Sequence, residues 1–229
     1  MNRAVLLDAL GTLLELEDPG PALAAELAAA GAPVSEEEAR AAVIAEMTYY
    51  RAHHDEGSDR AGLADLRRRC AQVLSDNLPP AAQALGVPRL TEALLAAIRF
   101  RPFAEVPDAL RALRAAGRRL VVISNWDVSL HDQLAATGLD ALVDGAVSSA
   151  EAGAGKPHPD IYRRALEVAG VAPDAAVMVG DSPDTDVVGA LELGIAAVLV
   201  DRWGAAEAPA GAHRISSLAE LPALVESLA

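Results

Sequence analysis

The chain has 229 residues, 52% of them hydrophobic, enough for one ordinary domain or for a core carrying a smaller insertion. Thirty-three acidic against nineteen basic side chains leave a formal charge of −14, which argues against nucleic acid or an anionic membrane as partner. The single cysteine excludes an internal disulfide, no stretch reaches the roughly 18 uncharged apolar residues of a membrane helix, and Asp8 breaks the one candidate signal-peptide core, so a soluble cytoplasmic protein is expected.

The first predicted element is a strand over AVLLDAL, residues 4–10, whose apolar run is interrupted by Asp8. A carboxylate buried without a partner costs several kcal/mol or is forced to keep its proton, so Asp8 is expected at the mouth of the strand. Residues 16–103 then show no convincing strand. They are rich in Ala, Leu, Glu and Arg, carry helix-period stripes, and break at Gly31, Gly57, Pro79-Pro80 and Gly86. They read as a helical domain inserted after the first strand, with joints near Glu17 to Gly20 and Arg101 to Phe103. Cys70 falls in the stripe Leu63, Leu66, Cys70, Val73, Leu74 and is expected in the core, not as a nucleophile. The run His53-His54-Asp55-Glu56 resembles a metal-ligand set, but adjacent residues of a helix point apart, which favours a solvated face. Tyr49, Tyr50 and Arg51 fit either core packing or substrate contact.

Beyond residue 103 strands and helices alternate. A helix is predicted over 107–116, ended by Gly117, then a strand over RLVVISN, residues 119–125. A helix over 160–169 follows Pro159 and stops at Gly170, and AAVMVGD, residues 175–181, forms the next strand. A helix over 186–193 ends at Gly194, AAVLVDR at 196–202 is the last strand, and a Ser217/Glu220 capping pattern precedes a helix at 222–228. Continuously apolar strands alternating with helices predict an α/β fold, a doubly wound parallel sheet of Rossmann-like type covered on both faces. Its residues are 1–15 and 104–229, with the helical domain spanning 16–103.

The strands end in polar residues, Asp8, Ser124-Asn125 and Gly180-Asp181, and such ends gather along the edge where ligands bind. Any one of them could merely cap a helix; together they mark a site. Of the nineteen basic residues eighteen are arginine, and the sole lysine is Lys156. A compact point charge is expected where arginine cannot serve, the competing reading being a chance surface lysine. Trp126 and Asp127, directly after Ser124-Asn125, are expected near the pocket rim.

In these residues the sequence resembles the haloacid dehalogenase (HAD) superfamily of hydrolases. The first motif of that superfamily, Asp-x-Asp-x-Thr, is matched by Asp8 to Thr12 with leucine in place of the second aspartate. The second is a Ser or Thr closing a strand, here Ser124, and the third a lysine before a helix, here Lys156. The fourth, Gly-Asp-Ser-x-x-x-Asp, is matched by Gly180 to Asp186. The resemblance implies that residues 16–103 are an α-helical cap domain and that Asp8 is a carboxylate nucleophile forming an aspartyl phosphate. It implies a Mg²⁺ cofactor held by Asp8, the main-chain carbonyl of Leu10, Asp181 and Asp186, the last directly or through water. Ser124, Asn125 and Lys156 would bind a small phosphorylated substrate, with Lys156 and Ser124 also acting in catalysis.

Leu10 divides the possibilities. In phosphatases of the superfamily the missing aspartate protonates the leaving oxygen and later activates water, help typically worth about 10²–10⁴-fold. The principal expectation is therefore a Mg²⁺-dependent phosphatase with weakened acid/base catalysis. A metal-independent 2-haloacid dehalogenase, a branch that also lacks this aspartate, is the first alternative. A phosphate-binding domain without turnover is the second. The sequence carries no signature of oligomeric state.

Overall fold

The computed structural model describes residues 4–228. The chain runs through β1 (Ala4–Leu7) and β2 (Leu14–Leu16) into α1 (Pro19–Ala29), α2 (Glu36–His53), α3 (Arg60–Asp76), α4 (Pro80–Gln83) and α5 (Gly86–Ala97). It returns through β3 (Phe100–Pro102) to α6 (Val106–Ala115), β4 (Arg119–Ser124), α7 (Leu130–Ala136), β5 (Gly145–Ser148) and α8 (Ser149–Ala152). Then follow α9 (Pro159–Ala169), β6 (Ala176–Gly180), α10 (Gly189–Leu191), β7 (Ala196–Val200), β8 (His213–Ile215) and α11 (Leu221–Ser227). Two compact units result. One joins the segment ending at Glu15 to the segment from Pro102 onward; the other is Leu16–Arg101.

In the first unit a parallel sheet has the order β5-β4-β1-β6-β7-β8. This is the doubly wound arrangement: the chain builds outward from β1 on one side, then returns to build β6, β7 and β8 on the other. β1 and β6 are buried along their whole length, which is why their residues are apolar without alternation. Leu7 is in register with Val122 of β4 and Val179 of β6, and the Asp8 amide donates to the Val179 carbonyl at 2.9 Å. The ends of β1, β4 and β6 therefore lie side by side.

β5 and β8 lacked a sequence signal because they are short and partly exposed; in β8 only Ile215 is buried. β3 falls inside residues 16–103, where no strand was expected. Three residues with an exposed Arg101 and a terminal proline give no period-2 pattern, and β3 forms by pairing with β2. The helix expected over 186–193 begins instead as a wide turn, Pro183–Val188, in which the Val187 amide reaches the Ser182 carbonyl five residues back. The buried Tyr162 hydroxyl donates to the Thr185 carbonyl, engaging that acceptor outside the helical ladder. The Ser217/Glu220 capping box is present, ahead of α11.

The second unit is helical apart from the strand residues at its joints. Leu23, Leu27, Val43, Leu66, Leu74 and Leu90 pack at the centre of α1, α2, α3 and α5, and Cys70 is buried among them. Ser35 caps α2, with Glu38 returning the bond to close a capping box. Tyr49 stacks on His53 at 4.0 Å between ring centres and accepts from Arg69 at 2.8 Å, so it is committed to holding this unit together. Among the described residues no helix is long and apolar enough to cross a membrane. Leu6→Ala at the centre of β1, and Leu74→Ala in α3, should each cost about 2–5 kcal/mol in urea denaturation, since both side chains are fully buried.

Candidate active site

Four side chains from separate parts of the sequence meet past the ends of β1 and β6. Asp8 directly follows β1, Asp181 directly follows β6, Asp186 sits in the wide turn after it, and Lys156 precedes α9. The Lys156 ammonium donates to Asp8 Oδ1 and to Asp186 Oδ1, at 2.6 Å in each case. Ser124, the last residue of β4, donates from Oγ to the same Asp8 oxygen at 3.3 Å. Asp186 Oδ2 accepts the Ser182 amide at 3.0 Å. One carboxylate oxygen from each of Asp8, Asp181 and Asp186 lies within 4.8 Å of the others, and among the described residues this is the group of carboxylate, imidazole and thiol side chains able to share a metal ion. His53 and His54 do not belong to it.

Two glycines allow this approach. Gly11 turns the chain at φ +88°, and a side chain there would run into the Asp181 carboxylate. A Cβ on Gly180 would fall on the Asp186 carboxylate.

Lys156 is 5% exposed, Asp8 6% and Asp186 1%, so the charges act on one another with little water between them. Burial pushes the Asp8 carboxyl up to about 7; Lys156 opposes the shift, while Asp186 and Asp181 add to it. Burial, and next the Asp186 charge, raise Asp181 to about 6. For Lys156 burial acts to lower the pKa, but Asp186 and Asp8 overcome it and hold the ammonium above its ordinary range. Three carboxyl groups thus face one ammonium, and burial together with their crowding is what holds protons on Asp8 and Asp181.

The remaining sequence candidates take clear positions. Asn125 does not turn its amide to the cluster: Oδ1 accepts the Lys156 amide at 2.6 Å, and Nδ2 donates to the Lys156 carbonyl at 2.9 Å. A Cβ on Gly155 would strike the Asn125 side chain, so the glycine admits this clamp. Leu10 is half-buried and bridges to Leu14 within the turn after β1. Trp126 and Asp127 are both buried, and Asp127 accepts the Ser129 amide at 2.7 Å. Two residues in contact with the loops of the cluster were not anticipated, Tyr162 beneath the wide turn and Arg202 after β7. The polar pair Asp201-Arg202 ending the fourth apolar run was the available signal for the latter.

A protein-family model for haloacid dehalogenase-like hydrolases matches residues 2–194. The chain belongs to this hydrolase family. It is 37% identical over 117 residues to haloacetate dehalogenase H-2 of Moraxella sp. (strain B), covering 51% of this chain and 50% of that protein. It is 39% identical over 105 residues to phosphoserine phosphatase of Thermus thermophilus, covering 45% and 42% respectively. These matches span about half the length of the curated relatives. The structure of a 2-haloacid dehalogenase from Pseudomonas syringae pv. Tomato DC3000 aligns over 100% of both chains, with a TM-score of 0.72 and 26% identity. Family members thus include both phosphatases and dehalogenases.

In this hydrolase the raised carboxyl groups make stability pH-dependent. Asp8 and Asp181 bind protons more tightly folded than unfolded, so their contribution is fully present below about pH 4 and is lost as pH rises through about 6 and about 7. With chelator present, the urea midpoint should fall between about pH 5 and about pH 7. Asp8→Asn should flatten that fall without abolishing it, because Asp181 remains and Glu46, raised by burial in the helical unit, contributes with the same sign. A midpoint that stays level or rises across this window would contradict the raised values.

Proposed function

We propose that this hydrolase is a Mg²⁺-dependent phosphatase acting on small phosphorylated molecules through a covalent aspartyl intermediate on Asp8. The observation that carries the reading is the cluster of Asp8, Asp181 and Asp186 around Lys156, whose excess of carboxyl groups and all-oxygen donor set suit a divalent cation such as Mg²⁺. Asp8, the Leu10 carbonyl and Asp181 would hold it, with Asp186 directly or through water. Bound there, the ion supplies charge neutralisation between the carboxylates and a phosphoryl group.

The side chains divide the work. Lys156 and Ser124 both occupy Asp8 Oδ1, which leaves Oδ2 as the attacking atom. Its attack forms an Oδ2–P bond and breaks the bond from phosphorus to the leaving oxygen. A water molecule then attacks phosphorus, the Oδ2–P bond breaks, and inorganic phosphate and free Asp8 are restored. The Lys156 ammonium and the Ser124 hydroxyl orient the carboxylate and stabilise the charge that develops on the phosphoryl oxygens. Asn125 serves by fixing the Lys156 main chain. With leucine at position 10 the leaving oxygen receives no proton from that residue, so acyl and aryl phosphates are favoured over alkyl ones. The helical unit, Leu16–Arg101, is read as the cap that selects substrate.

Dehalogenation is the second reading, favoured by Leu10 itself and by the haloacetate dehalogenase relative. There Asp8 would attack carbon and displace halide with no metal. Two further carboxylates beside the nucleophile speak for the phosphatase.

The deciding experiment measures kcat/KM for p-nitrophenyl phosphate, an acyl phosphate, an alkyl phosphate and a 2-haloacid, each with Mg²⁺ and with chelator. Wild type should cleave the activated phosphates faster than the alkyl one, and only with Mg²⁺. Leu10→Asp keeps the main-chain carbonyl, adds a carboxylate and should raise alkyl phosphate turnover about ten-fold or more. Asp8→Asn should abolish turnover in both backgrounds. Mg²⁺ should also raise the melting temperature of wild type, and Asp181→Asn should remove that shift. Haloacid turnover that resists chelator, together with a melting temperature indifferent to Mg²⁺, would establish the dehalogenase instead.

A further inference from the structure

Arg202 lies beyond the residues matched by the family model, yet its side chain reaches back to the loop that follows Asp8. Its Nε donates to the Gly11 carbonyl at 3.2 Å, and Nη2 donates to the Thr12 carbonyl at 2.7 Å. Nη1 donates to Glu105 Oε1 at 2.5 Å, and the guanidinium carbon stands 3.6 Å over the Phe103 ring. The side chain is 9% exposed. Each of the three guanidinium nitrogens thus donates a hydrogen bond, and two of these grip consecutive carbonyls of one loop.

That loop is where the site is most exacting. Gly11 sits at positive φ with the Asp181 carboxylate packed against its Cα. Because a peptide unit is planar, fixing the Gly11 and Thr12 carbonyls also fixes the directions of the Thr12 and Leu13 amides. A one-sided grip would still let the peptides rotate; the planar fork of a guanidinium, backed by an aromatic face and a carboxylate, does not. The same positive charge acts on Asp181, partly opposing the upward shift of its carboxyl.

We propose that Arg202 is a positioning residue, clamping the Gly11–Thr12 peptides so that the loop after Asp8 keeps its place against Asp181 during turnover. The inference rests on the hydrolytic reading above for its kinetic consequence, while the clamp itself is a property of the loop. Lysine cannot reproduce it: one ammonium carries the charge but cannot span two carbonyls and Glu105 in one plane.

The test compares wild type, Arg202→Lys and Arg202→Met by kinetics and by hydrogen exchange, with Mg²⁺ present. The kinetic substrate is p-nitrophenyl phosphate or 2-chloropropionate, whichever wild type turns over. In both variants kcat should fall about ten- to hundred-fold, the scale of small misplacements, while KM changes by less than about three-fold. Amides of residues 9–14 should exchange faster, and those of β6 should keep their wild-type protection. If Arg202→Met does not fold, Arg202→Lys carries both readouts. Wild-type exchange in the loop of the variants, or full kcat in Arg202→Lys, overturns the proposal. A wild type inactive on every phosphate and haloacid overturns the function proposed above, and loop exchange then decides Arg202 by itself.

Discussion

The buried ammonium of Lys156, shared between Asp8 and Asp186, is the interaction to which the rest of the first unit is fitted. None of the three charges is tolerable there alone. Removing one partner of such a group leaves an uncompensated buried charge, which costs far more than the pair contributes. The fold meets this demand with parallel strands in register, so that Asp8 and Asp181 emerge beside each other, and with a wide turn that brings Asp186 back over Gly180. The lysine is delivered from a loop whose main chain is held by Asn125 on both its donor and its acceptor side.

Much of this was legible in the sequence, for reasons that can be named. β1, β4, β6 and β7 announced themselves because both faces of the sheet are covered, leaving apolar runs without alternation. Asp8, Ser124 and Asp181 stood out as polar ends to those runs, and Lys156 as the lone lysine among arginines. β5 and β8 were silent because their few residues are half-exposed. The direction of the Asn125 amide was not legible, since a strand-end asparagine serves a ligand or a neighbouring loop with equal chemical sense. The wide turn receives a hydrogen bond from the Tyr162 hydroxyl, 23 residues from its acceptor. Arg202 meets the Thr12 carbonyl across 190 residues, a contact that no local pattern encodes.

Position 10 shows how much a site can keep when one residue departs from the family pattern. Leu10 lies in the turn whose main chain bridges to Leu14, and the Asp8 carboxylate beside it keeps its bonds to Lys156 and Ser124. The neighbouring main chain is governed by Gly11 and by hydrogen bonds to the Ala9 carbonyl from Leu13 and Leu14, none of which requires an aspartate. Geometry and proton transfer are therefore separable here. Asp8 keeps its contacts with Lys156 and Ser124, while position 10 carries no carboxylate.

The solitary lysine also makes this chain unusual material for amine chemistry. Its only side-chain primary amine is sealed beneath two carboxylates and fully protonated in the resting protein. Acylating and cross-linking reagents directed at lysine find no second lysine to react with. Any label that appears at position 156 therefore records an occasion on which the ion pairs had come apart, so the protein carries a built-in chemical reporter of the opening of its own charged centre.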